Sequence, residues 1–122
     1  MKITRQITVF DAADMDAESA FWAGLLDGTV EADDDWHSIW INGEKRYAVQ
    51  LAPDHVAPEW PAGTPQQLHV DLHVDDFQAA HEKAMSLGAR LLQPAENLSA
   101  PEGFQVYADP AGHPFCLCWE TS

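Results

Sequence analysis

The chain reads as an α+β fold made of one strand–helix–three-strand unit used twice. Three observations predict it. A β-rich run is followed by an Asp-capped helical segment in each half. Each helical segment stops at a glycine, Gly28 in the first half and Gly88 in the second. Three short strand-like segments then follow each stop, and a proline-rich stretch separates the two sets. Neither unit alone could cover its sheet face, so a duplicated unit implies two packed layers of sheet and helix.

In the first half, residues 3–10 (ITRQITVF) are rich in β-branched side chains and free of Gly and Pro, which predicts a strand. Asp14 or Asp16 offers an N-cap, and Glu18 adds an acid in the first turn, where the helix dipole favours it. Phe21 and Leu25 stand four apart on one helix face. Asp27-Gly28 ends the helix, with Gly28 as the expected left-handed cap. Strands are expected near 29–33, 36–42 (WHSIWIN) and 46–52 (RYAVQLA), with Asn42-Gly43 as the hairpin turn between the last two. The segment 53–65 (PDHVAPEWPAGTP) has no periodicity and is expected to be an extended connector.

The second half repeats the order. Residues 67–74 (QLHVDLHV) alternate strictly, and Asp75-Asp76 caps a helix carrying Phe77, Ala80, Ala84 and Leu87. Strands near 89–93, 104–108 and 114–120 follow, the last two joined by the turn Asp109-Pro110-Ala111-Gly112. The organisation expected is a single domain over 1–122, with module one at about 1–52, a connector at 53–65 and module two at about 66–122.

Composition narrows the partners. Twenty acidic residues against six basic ones give a formal charge of -14, which repels nucleic acid backbones and anionic membranes. The charge instead favours the approach of a neutral or cationic small molecule. With 46% hydrophobic residues the chain can build a core, so charge does not mean disorder here. The first residues lack an apolar leader, and no run is long enough to span a bilayer. Cys116 and Cys118 stand two apart on one predicted strand, a poor geometry for a mutual disulfide. A cytoplasmic protein is expected.

The second half carries specific wording: His69-Val-Asp71-Leu-His73-Val-Asp-Asp76, Leu87-Gly88-Ala89 and Tyr107-Ala-Asp-Pro-Ala-Gly-His-Pro-Phe115. With Asp14, Phe21-Trp22 and Leu25-Leu26 in the first half, it resembles the glyoxalase/bleomycin-resistance proteins, the vicinal oxygen chelate superfamily, in their glyoxalase-like branch. The resemblance implies βαβββ modules whose curled mixed sheets enclose a shared pocket, and a homodimer. It also implies a divalent metal held by the first and last strands of each module. Carried across, His69 falls on the first-strand ligand position of module two, and Cys116 stands where a Glu is usual. In module one the positions fall on Ile7 (or Gln6) and on Ala48 or Gln50. His69 is thus the one retained ligand position, and no metal or other cofactor is expected. A divalent ion remains the alternative, with His69, Cys116 and a third donor from Asp71 or Cys118.

Period-two alternation puts His69, Asp71 and His73 on one strand face and Val70, Leu72 and Val74 on the other. Asp71 is placed to orient His69. The same alternation turns Trp36, Ser38 and Trp40 away from the helix layer, where two indoles would give flat walls for a planar ligand; core filling or a dimer contact is the competing role. The ligand-binding set expected is therefore His69, Gln50, Cys116, Trp36, Trp40 and Asp71. Three functions follow in order: binding a small aromatic or cationic molecule, metal-dependent lyase, isomerase or dioxygenase chemistry, and metal-free catalysis with His69 as general base.

Overall fold

A computed structural model describes residues 2–65 and 68–120, so the expected strand residue Gln67 lies outside the described residues. The chain forms two compact units, divided between Val56 and Ala57. Each holds one four-stranded mixed sheet and one helix, and the class is α+β with two βαβββ modules.

Module one runs β1 (Thr8–Ala12), α1 (Met15–Leu25), β2 (Thr29–Ala32), β3 (Trp36–Ile41) and β4 (Glu44–Leu51), with sheet order β1-β4-β3-β2. β1 pairs parallel with β4, and the other pairs are antiparallel. The strand predicted over 3–10 begins only at Thr8, because the ladder with β4 opens at Thr8–Tyr47 and continues to Ala12–Leu51. Local propensity cannot see that register. Asp14 caps α1, accepting from Ala17 N at 3.1 Å. The helix ends differently from the expectation. Asp27 takes the left-handed conformation (φ 56°), and Gly28 has another duty: a Cβ there would lie 2.5 Å from the Trp40 carbonyl oxygen. The Asn42-Gly43 turn is as expected, with both residues at positive φ (52° and 79°).

Residues alternating along β1, β4 and β3 give module one two unlike faces. Phe10, Tyr47, Val49, His37 and Ile39 face α1; Trp22 stacks on Phe10 with centroids 4.7 Å apart and is fully buried. His37 is a buried polar group on this side, held by Ser19 Oγ at 2.8 Å from its Nδ1. Burying such a ring without that partner would cost about 1–3 kcal/mol.

Module two runs β5 (Val70–His73), α2 (Phe77–Ser86), β6 (Arg90–Gln93), β7 (Glu102–Ala108) and β8 (Pro114–Glu120), with order β5-β8-β7-β6. It mirrors module one: β5 pairs parallel with β8, and β7 pairs antiparallel with β6 and β8. Asp76 is the N-cap of α2, and Gly88 at φ 105° is the left-handed stop. Tyr107, Phe115, Leu117 and Trp119 line the helix side, where the Trp119 ring lies 4.5 Å from that of Phe77. The segment 53–65 contains no helix or strand.

Candidate functional site

The sheet of module two presents its other face as an open cleft of about 710 Å³. Register explains its walls. Asp71 lies beside Cys116, and Cys116 beside Val106; one row further, His73, Cys118 and Phe104 are lateral neighbours. A third row pairs Glu120 with Glu102. The loop after β6 supplies Pro94, Glu96 and Asn97 on the far side. Phe104 is 48% exposed, which leaves an aromatic ring uncovered on the floor. Asp71, Glu96, Glu102 and Glu120 bring carboxylates, and neither Lys nor Arg is among the described lining residues. Two like charges directly opposite on neighbouring strands destabilise a sheet, so the Glu102–Glu120 pair costs stability unless something cationic meets it.

At one end of the cleft His69, Asp71 and Cys116 converge, their ligand-type atoms all within 4.8 Å of one another. His69 Nε2 stands 3.2 Å from Asp71 Oδ1, and both side chains are about half exposed (50% and 49%). Asp71 also accepts a hydrogen bond from the Cys116 thiol. Burial first, then that bond and the Asp71 charge, push the Cys116 thiol up to about 12. Cys118 is raised as well, by burial and again by Asp71. Both cysteines are free and keep their protons at neutral pH, so neither is an activated nucleophile.

A buried polar network on the opposite face steadies the cleft wall. Gln105, 4% exposed, accepts from Ala95 N at 3.0 Å through Oε1 and donates through Nε2 to the Tyr107 hydroxyl at 2.9 Å. That hydroxyl sits 2.6 Å from His81 Nδ1 on α2. Burial raises the Tyr107 pKa and the Gln105 bond offsets part of the rise. Helix, central strand and cleft loop are thus joined by one set of hydrogen bonds.

Of the predicted residues, His69, Asp71 and Cys116 come together in the cleft. Gln50, Trp36 and Trp40 lie on the sheet of module one and are not among its walls. Gln50 is exposed and has Asp11 and Trp36 as lateral neighbours. Trp40 is half-buried beneath Lys45, whose Nζ lies 5.2 Å from the indole centroid, so that ring face already has a cationic cover. Sequence reasoning missed Glu102, Phe104, Glu120 and the 94–97 loop. Their alternation along β7 and β8 was visible, but which face they share with His69 depends on pairing across the sheet.

A divalent ion held from both modules, as the resemblance implies, does not fit the residues present. The module-one positions offer an isoleucine, an alanine and an amide. In module two the usual carboxylate is a protonated thiol. Hard ions such as Mg²⁺ or Mn²⁺ want several oxygen or imidazole donors, and this chain supplies too few at those positions.

The glyoxalase-like domain model matches residues 7–118, and the chain belongs to that family, within the vicinal oxygen chelate superfamily. No curated protein matches the chain. Among solved structures, the fosfomycin resistance protein FosX from Mesorhizobium loti is similar at 16% identity and TM-score 0.69, covering 98% of this chain and 92% of that one. FosX from Listeria monocytogenes in its hexagonal form gives 12% identity and 0.70, covering 99% and 94%. A glyoxalase/bleomycin resistance protein/dioxygenase family enzyme from Burkholderia phytofirmans gives 13% and 0.69, covering 93% and 95%. At these identities the likeness carries the fold.

Proposed function

We propose that the protein binds a small organic cation carrying a flat ring in the module-two cleft. The single observation behind this reading is the pairing of an uncovered Phe104 ring with the Glu102–Glu120 carboxylates, in a hollow whose described walls hold no Lys or Arg. A ring on Phe104 gains apolar and stacking energy, and an ammonium or guanidinium between the carboxylates relieves their repulsion. The acidic surface steers such a ligand inward. The names of two neighbours tie this fold to resistance against a drug.

The test is isothermal titration of aromatic amines against aromatic carboxylates of the same shape. Amines are expected to bind, and Glu102→Gln with Glu120→Gln should weaken them at least tenfold, about 1.4 kcal/mol. Equal binding of the carboxylates, or an unaffected double variant, overturns the reading. The His69–Asp71 pair supports a second reading, metal-free catalysis in which Asp71 holds the imidazole and the other ring nitrogen takes a proton from the ligand. That reading requires His69→Ala to abolish turnover while leaving ligand affinity within a few fold. A homodimer is proposed from the family resemblance, and light scattering at micromolar concentration should give twice the chain mass.

A further inference from the structure

The module-two cleft has a neighbour. A second hollow of about 230 Å³ is lined by Val74, Phe77, Leu98 and Trp119, with Asp75 and Glu120 supplying carboxylates. Trp119 and Glu120 are walls of both hollows, so the two meet at the end of β8. Small-molecule sites usually enclose about 300–1,000 Å³. The second hollow is too small to serve alone and suits an extension of the cleft. We infer that the cleft's ligand is a secondary or tertiary amine, its flat ring on Phe104 and a short apolar arm on its nitrogen seated in the second hollow. The inference rests on the organic-cation reading and extends it to the ligand's substitution pattern.

Register sets the order of the three parts. Phe104 pairs with Cys118, and Glu102 pairs with Glu120 two residues further along both strands, a step of about 7 Å. A ring on Phe104 with its nitrogen at the carboxylates therefore reaches Glu120, where the second hollow begins. A primary ammonium would stop there and leave Leu98, 61% exposed, facing water. A protonated secondary amine still has two N–H donors, one for each of Glu102 and Glu120, and its third substituent can cover Leu98 and Phe77. The shared wall is fixed: Trp119 Nε1 donates to the Ala100 carbonyl at 3.0 Å, and its ring rests 4.5 Å from Phe77. Gln78, the amide in the second hollow, donates through Nε2 to Glu82 Oε1 at 3.1 Å, so that amide group is already engaged. Neither Lys nor Arg is among the described lining residues.

The experiment is calorimetric titration of the full-length protein with phenethylamine, N-butylphenethylamine and para-butylphenethylamine. The two butyl compounds are isomers with the same charge and the same apolar content, and they differ only in where the arm is attached. The N-butyl isomer is expected to bind at least tenfold more tightly than either of the others. Leu98→Ser, a change at an exposed position with little effect on stability, should bring the affinity ratio of the two isomers close to one. Equal binding of the isomers in the unmodified protein, or an isomer preference that survives Leu98→Ser, overturns the inference and leaves the organic-cation reading standing. If none of the three amines binds, the organic-cation reading fails and this inference fails with it.

Discussion

Gly103 is where fold and cleft are most tightly bound together, and Gly103→Ala is the sharpest probe of that link. The residue sits in β7 opposite Trp119, whose indole lies across it: a Cβ would meet Cη2 and Cζ2 at 2.5 Å and Cε2 at 3.2 Å. Ordinary carbon contact begins near 3.5 Å, so the ring must retreat by about 1 Å. It is not free to do so. Its Nε1 donates to the Ala100 carbonyl at 3.0 Å, and its face rests on Phe77 at 4.5 Å. Losing that hydrogen bond costs about 1 kcal/mol and weakening the aromatic pair about 0.5–1.5 kcal/mol. Replacing glycine in the unfolded chain returns about 0.4–1 kcal/mol, so the net destabilisation should be about 1 kcal/mol. Urea unfolding followed by circular dichroism measures it. The decisive control is the cycle with Trp119→Phe, in which the Gly103→Ala change should turn neutral or stabilising because the larger ring is gone. If Gly103→Ala has the same effect in both backgrounds, the indole does not lie over the glycine and the reasoning fails. Glu102 and Phe104 flank Gly103, so amine affinity should fall in step with the stability loss.

Gln105→Leu leaves Ala95 N without its acceptor, at about 1–3 kcal/mol, while the Tyr107 hydroxyl loses one donor and keeps His81 at 2.6 Å. A loss of about 1–3 kcal/mol in urea unfolding is expected, and a change under about 0.5 kcal/mol, the scale of an ordinary surface substitution, would show that the network is not holding the loop. Cys116 makes stability pH-dependent on the alkaline side. Its thiol rises from an ordinary value of 9.0 to about 12 in the folded chain. The unfolded state therefore gives up a proton above about pH 9 that the native state keeps, and stability falls as pH rises through that window. The slope from this group alone is at most about 1.4 kcal/mol per pH unit. Cys116→Ala should flatten the difference curve between about pH 9 and 11, and parallel curves for the two proteins would contradict the assignment.

Elements that announce themselves locally are readable in the sequence, and those that depend on pairing are not. The Asn42-Gly43 turn, the Asp14 and Asp76 caps and the Gly88 stop each follow from the preference of one or two residues, and each stands where expected. The alternation of His69, Asp71 and His73 is enough to place them on one face. Strand β1 starts later than its propensity suggests because its first pair is set by β4, some forty residues away. Likewise, Glu102 and Glu120 become a site only through the β7–β8 register. The Ser19–His37 and Gln105–Tyr107–His81 contacts bury polar groups that look ordinary in one dimension.

A metal site and a hollow respond differently to substitution. A metal site rests on a few atoms placed to within a fraction of an ångström, and exchanging one donor for an aliphatic carbon removes most of its affinity at once. A cleft's shape rests on the twist of a sheet and on the helix packed behind it, to which dozens of residues contribute. In module one the register partners Val9 and Ala48 occupy the places that Asp71 and Cys116 hold in module two. The ladders match, and the donors do not. The inward side chains of β7 and β8, such as Phe104, Glu102 and Glu120, can therefore change with no change to the ladder that carries them. Chemistry at such a site is predicted to be tunable by substitutions on the β7 and β8 inner face, whereas changes at Gly103, Gln105 and Tyr107, one residue out of phase, act on stability.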